Sequence, residues 1–313
     1  MTWTTADIGD LTGRRVLLTG VTGGLGHHTA LELARHGADL VVTARDAAKA
    51  ERTVADVRRE VPGASIETVS LDLADLADVH RAAKDVLARF DRVDVMVDNA
   101  GIMIPPYRTT ADGFELQMGT NHLGHFAWAA QLWPLLRSSE ARVVTVSSLA
   151  HAQARDLDLR VLTPEGSPRP YRRWRAYAES KLANLSFALE LDRRVKAAGL
   201  GVVSVAAHPG IASTNLTRTG LGMGRSALLT NAVHQVSRLA SQSAEAGSWP
   251  LLMAATDPAL AGGEYVGPLG PGQTRGRPGV VGSTRLARDP ELAQRLWAAS
   301  ERATGVPFDV AGK

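Results

Sequence analysis

Residues 174–184 read WRAYAESKLAN and place Tyr177 four positions before Lys181. In a helix that spacing puts the phenol and the ammonium on one face. A phenol titrates near pH 10, and a neighbouring cation favours its ionised form. Such a pair can exchange a proton with a reacting oxygen. Taken alone it reads as a surface tyrosine beside a snorkelling lysine. Chemistry follows only if the chain also brings a binding site to that face.

A second stretch supplies one. Residues 19–26, TGVTGGLG, carry Gly20, Gly24 and Gly26, with Thr22 and Leu25 between them, directly after an apolar run and at the start of a helical pattern. Glycines there let backbone N–H groups and a helix N-terminus approach a pyrophosphate with no Cβ in the way. The spacing is neither G-x-G-x-x-G nor a Walker A loop, because no Lys-Ser/Thr follows. It points to a dinucleotide rather than to nucleoside triphosphate hydrolysis. The next apolar run ends in VVTARD, where Thr43 and Ala44 are neutral and Arg45 is cationic. An acidic residue at that position would accept from a ribose 2′-hydroxyl, whereas a guanidinium suits a 2′-phosphate. NADP(H) is therefore the preferred cofactor, with NAD(H) as the alternative. The competing reading leaves Arg45 on the surface and gives Asp46 only a helix-capping role.

The elements that must position these residues alternate regularly. RRVLLTG, ADLVVTAR, SIETVSLDL, VDVMVDNAG, RVVTVSS and GVVSVAAHPG are short apolar strands. Helical patterns lie between them, among them the long buried segment GFELQMGTNHLGHFAWAAQLWPLLR and the helix bearing Tyr177. Continuous apolar strands separated by helices indicate a parallel sheet covered on both faces, a three-layer α/β/α domain. Asp72 and Leu73 after the third strand, and Asn99, Ala100 and Gly101 after the fourth, fall at strand C-termini, the edge where open parallel sheets bind ligands. Two segments break the alternation. Residues 151–173 are a long polar insertion, and residues 261–283 are rich in Gly and Pro and read as irregular.

Composition narrows the setting. The chain has 313 residues, 44% of them hydrophobic, which suits one sizeable domain with a full core. With no cysteine, disulfides and thiolate zinc sites are excluded. A net charge of +3 with dispersed basic residues gives no nucleic-acid footprint. Arg169, Arg172, Arg173 and Arg175 form the one basic cluster, read as a solvated loop entering a helix. Neither a signal peptide nor a membrane span is evident, so the expected location is cytoplasmic. His122/His125 and His27/His28 lack a third ligand at suitable spacing, and no metal is expected.

TGVTGGLG, DNAG, NHLGHF, VVTVSS, YAESK and HPG occur in this order. With them the chain resembles the short-chain dehydrogenase/reductase superfamily in its single-domain form, and its wording is similar to the retinol dehydrogenase and WW-domain oxidoreductase branch. The resemblance covers about residues 12–260 and implies a Rossmann-type, doubly wound sheet forming one domain over residues 1–313. It also implies catalytic roles. Tyr177 would be the general acid/base, and Lys181 would lower its pKa and hold the nicotinamide ribose. Ser148 would donate to the carbonyl oxygen, with Ser147 the weaker choice, and Asn121 would position a water linking Lys181 to solvent. Asn99 would support the cofactor edge. Pro209, Gly210, Ile211 and Thr214 would lie against the nicotinamide. Position 98 departs from the family pattern, being Asp where Asn is usual.

Residues 211–240 occupy the position of a substrate lid, in which glycines and Met223 suggest mobility and an apolar lining. The implied reaction is hydride transfer between NADP(H) and an apolar ketone, aldehyde or secondary alcohol. The implied assembly is a homodimer or homotetramer through long helices, which the insertion before Tyr177 could obstruct. Two other readings stand beside this one. A non-catalytic dinucleotide sensor would have no use for the Ser–Tyr–Lys set. An epimerase or dehydratase would need a larger C-terminal domain.

Overall fold

The computed structural model describes residues 3–166, 169–212 and 242–312. Its centre is an eight-stranded sheet in the order β3-β2-β1-β4-β5-β6-β7-β8. The strands are Arg15–Thr19 (β1), Asp39–Ala44 (β2), Ile66–Ser70 (β3), Val95–Asp98 (β4), Arg142–Val146 (β5), Val203–Ala207 (β6), Tyr265–Pro268 (β7) and Pro278–Val280 (β8). The first seven pair in parallel, and β8 closes the edge antiparallel to β7. The strand order reverses between β1 and β4, so the crevice expected of a doubly wound fold opens beyond their C-termini.

Helices α1 (Gly24–Arg35), α2 (Ala47–Glu60), α3 (Leu76–Arg89), α4 (Gly124–Ser138), α5 (Arg173–Ala197), α6 (Ala244–Thr256) and α7 (Pro290–Thr304) cover both faces. Local chemistry explains where they begin. Asp46, Asp75, Ser243 and Asp289 accept from the first free amides of α2, α3, α6 and α7. The segment expected as one long buried helix is helical from Leu116, but its turn at Gly119–Leu123 is a π-turn.

One layer packs Val16, Leu18, Val97 and Val144 under α1 and α6. The other packs Leu17, Met96 and Val143 under α3, α4 and α5. Helix α5 is buried continuously from Tyr177 to Asp192, which a helix covering a sheet on one side would not be. Its outer face lies against α7 and the segment that follows. Trp297 stacks on Phe187 at 5.6 Å, and Phe308 sits edge-on to Phe126 at 5.5 Å. Pairing of two copies through the long helices, as the resemblance implied, would meet a face this chain already covers with its own residues.

One further expectation is corrected. Residues 261–283 are not wholly irregular, since they contain β7 and β8, and the sheet runs on past residue 260. Their Gly and Pro content hid them for physical reasons. Pro278 is tolerated because it begins an edge strand. At Gly267 a side chain would run into the His208 ring. The 151–173 insertion, polar in sequence, packs onto the domain. It forms 3₁₀ turns at Leu149–Gln153 and Leu159–Leu162, buries Ala154, Leu157 and Leu162, and ties Arg169 to Asp156 at 2.6 Å. Thr214 and almost all of the 211–240 segment lie outside the described residues.

Candidate active site

A cavity of about 730 Å³ opens at the C-terminal edge of the sheet. Gly20, Thr22, Gly24, Leu25 and Gly26 line it at the β1–α1 turn. Gly24 has a φ of +57°, a left-handed conformation that favours glycine. A side chain at Gly26 would strike the Gly20 carbonyl, so the turn closes only without one. Unlike α2, α3, α6 and α7, helix α1 has no side chain on its first amides. Those donors face the cavity with the positive end of the helix dipole, an arrangement suited to phosphate.

Further along this end, Arg45, Asp72 and Leu73 line the wall. The Arg45 side chain is 75% exposed and 3.7 Å from the Asp72 carboxylate, a loose surface pair from which the guanidinium can turn. Asn99, Ala100 and Gly101 follow on the far side of β1. The Asn99 amide donates to the carbonyls of Thr19 and Gly20 at 2.8 and 3.0 Å, holding the glycine turn against the end of β4. Thr19, which the sequence reading passed over, completes this joint. Its hydroxyl oxygen accepts from the backbone amides of Asn99 and Ala100 at 3.0 and 2.9 Å. Pro209, Gly210 and Ile211 line the opposite wall.

The catalytic candidates meet where the two walls converge. Ser148 follows β5, and Tyr177 and Lys181 project from α5 into the same cavity. The Ser148 hydroxyl lies near enough to the Tyr177 phenol to lower its pKa. Burial pushes the phenol above its usual range, and Ser148 pulls it part of the way back. Burial also brings Lys181 down to about 8. The ammonium donates to the Val146 carbonyl at 3.0 Å and stands 6.0 Å from the Tyr177 ring centroid. The expected lowering of Tyr177 by Lys181 is therefore not what these residues produce by themselves. The ammonium is turned toward the backbone of β5, and desolvation dominates.

Asn121 departs from expectation as well. Its side chain is buried and does not line the cavity. The amide oxygen accepts from Ile102 N at 2.8 Å, while the amide nitrogen donates to Ile102 O and Ser180 Oγ at 3.0 Å each. With these bonds the side chain clamps residues 99–104 to α5. Of the four candidates, Ser148, Tyr177 and Lys181 come together and Asn121 braces them from behind.

The histidines have structural partners. His125 lies between Asn121 O and Thr19 Oγ1 at 3.0 and 3.1 Å, and His122 bonds Ser300 Oγ at 2.8 Å. His208 accepts from Gly210 N at 3.2 Å and bonds Gln273, so it fixes the Pro209–Gly210 turn. Asp98 is fully buried with neither oxygen partnered, and burial pushes its carboxyl well up. Sequence reasoning also missed Met103, Ile104, Ala150 and Gln153, which line the cavity near Tyr177. Met103 and Ile104 sit in an irregular connection and Ala150 and Gln153 in the 3₁₀ turn after β5, and none belongs to a chemical motif.

Comparison with known proteins agrees with this geometry. Residues 14–157 match the family described as short chain dehydrogenase. Human retinol dehydrogenase 13 is 37% identical over 295 residues, covering 94% of this chain and 85% of its own. The chain belongs to the short-chain dehydrogenase/reductase superfamily. Within it, the chain falls in the retinol dehydrogenase-like branch. Mouse polyprenol dehydrogenase is 38% identical over 300 residues, covering 94% of this chain and 84% of its own. A solved structure of an uncharacterized protein from Mycobacterium paratuberculosis is 39% identical, with a TM-score of 0.77 over 99% of this chain and 100% of that one. Levodione reductase, 23% identical with a TM-score of 0.63 over 82% of this chain and 95% of its own, shares the fold. As a member of this superfamily the chain is an oxidoreductase of small molecules that uses NAD(P)(H).

Proposed function

We propose that this enzyme transfers hydride between NADP(H) and an apolar ketone, aldehyde or secondary alcohol, with Tyr177 as the general acid/base. The observation that carries the reading is the convergence of Ser148, Tyr177 and Lys181 on one cavity with the uncapped N-terminus of α1. The dinucleotide would lie with its pyrophosphate on α1, its adenosine end near Arg45 and its nicotinamide against Pro209–Ile211, and it would supply the hydride. Arg45 would take the 2′-phosphate.

The protein's part is orientation and proton supply. Carbonyl oxygen would accept from Ser148 and Tyr177, so charge developing on it is stabilised as it forms. A phenol pushed up by burial is protonated at neutral pH, which is the form needed to donate to an alkoxide. Near neutrality the phenol is therefore in the form that serves carbonyl reduction. Lys181 at about 8 keeps its charge there and would hold ribose hydroxyls with the donors that Val146 leaves free.

The substrate end of the cavity is apolar, with Met103, Ile104, Leu149 and Trp174. The names of the relatives make retinol and polyprenol the first compounds to try. Among the described residues no helix is long and apolar enough to cross a membrane. A cytoplasmic enzyme, working without a second copy on its long-helix face, completes the proposal.

A panel of carbonyls and alcohols assayed with NADPH/NADP⁺ and NADH/NAD⁺ tests it. Turnover faster with the phosphorylated cofactor is expected. Tight NADPH binding with no turnover of any compound would instead favour the non-catalytic sensor.

A further inference from the structure

One side chain beside Tyr177 is not accounted for by proton transfer or cofactor binding. Trp174 lies one helical turn before Tyr177 and lines the same cavity. It is 45% exposed, unusual for an indole, which is costly to leave in water. Yet it is held. Its ring N–H donates to Gln153 Oε1 at 2.6 Å, and its ring lies 5.8 Å from that of Tyr177, tilted by 48°. Gln153 closes the 3₁₀ turn that Ser148 caps, so the elements presenting the two oxygen-binding groups also fix the indole.

We infer that Trp174, pinned by Gln153, is a specificity-determining residue that selects substrates carrying a flat aromatic or conjugated group on the reacting carbonyl carbon. This rests on the oxidoreductase reading above. Ser148 and Tyr177 fix where the carbonyl oxygen sits, and a substituent on the carbonyl carbon then extends along the wall they share with Trp174. The remaining apolar lining there, Met103, Ile104 and Leu149, is flexible or branched and fits many shapes. Beside Tyr177, the indole is the rigid plane that the described lining offers, and its one polar atom is already bonded to Gln153. A planar π-system on that plane gains more than its area alone supplies, whereas a saturated ring of similar bulk does not.

The experiment compares acetophenone with cyclohexyl methyl ketone in the wild type, Trp174→Ala, Trp174→Phe and Gln153→Ala. The ratio of kcat/KM for the aryl ketone over the saturated one should fall roughly 3- to 10-fold in Trp174→Ala. It should be largely restored in Trp174→Phe, and fall less in Gln153→Ala, through KM. A ratio unchanged in Trp174→Ala overturns the inference. A binding readout separates it from the enzyme assignment. With NADP⁺ present, so that no ketone is reduced, acetophenone should quench tryptophan emission in the wild type and much less in Trp174→Phe. Equal quenching in both proteins refutes the role of Trp174. Quenching confined to the wild type, with neither ketone ever reduced, upholds the planar site and removes the oxidoreductase reading.

Discussion

The two ends of the cavity are made in different ways. The end proposed for the dinucleotide is built from backbone, with a glycine turn, uncapped amides and strand C-termini held together by Thr19 and Asn99. The end proposed for catalysis and substrate is built from side chains that arrive from α5, from the 3₁₀ turn after β5 and from residues 102–104. A backbone site requires the right turn at the right place, whereas a side-chain site requires distant segments to dock in register. The first should govern which dinucleotide binds, and the second what happens to the substrate.

The sharpest way to break that division is Tyr177→Phe. It should lower kcat about 10²- to 10⁴-fold while the Kd for NADPH stays within about twofold, measured by turnover and by titration of cofactor fluorescence. Retained turnover would take Tyr177 out of the proton step. The converse variant, Arg45→Asp, should leave kcat with NADH near the wild-type value and lower the NADPH/NADH preference roughly 10- to 100-fold, the value of a charge-assisted hydrogen bond.

Lys181 belongs to both ends, and pH separates its contributions. Its ammonium titrates at about 8 because it is buried, so it is charged below that value and neutral above it. KM for NADPH should therefore rise as pH passes 8, and a flat profile from pH 7 to 9 would mean the ammonium does not hold the cofactor.

The smallest effect lies beneath both ends. Burial raises the Asp98 carboxyl above its unfolded value, so whatever stability this group allows is complete at pH values below about 3.8 and is lost as pH rises through its folded pKa. Asp98→Asn cannot ionise. It should melt a few degrees above the wild type at pH 7 and show no such gain at pH 3.5.

The same contrast explains what could be read from the chain. The strands from β1 to β6 and the glycine turn were legible because apolar periodicity and a forced backbone shape are local properties. Tyr177 and Lys181 were legible as a pair because one helical turn fixes them together. The pKa of Tyr177 was not, since it depends on how deeply α5 is buried and on how near Ser148 is brought. The bracing bonds of Asn121 were not legible, because nothing local says that Ile102 and Ser180 will meet its amide. Gln153 and Ile104 were invisible, lying in connections whose shape comes from packing. Strands β7 and β8 were missed because the glycines that admit the His208 ring and the Leu269 side chain look like loop composition.

The cover that Trp297 and Phe308 place over α4 and α5 has a consequence for biosynthesis. The aromatic centre of the α3–α5 layer cannot close until residues 290–310 have been made, although the dinucleotide turn near residue 20 was completed long before. A nascent chain would pass through a stage with a finished glycine cradle and an open greasy flank. Anything that delays or trims that late segment would strike the molecule at its middle.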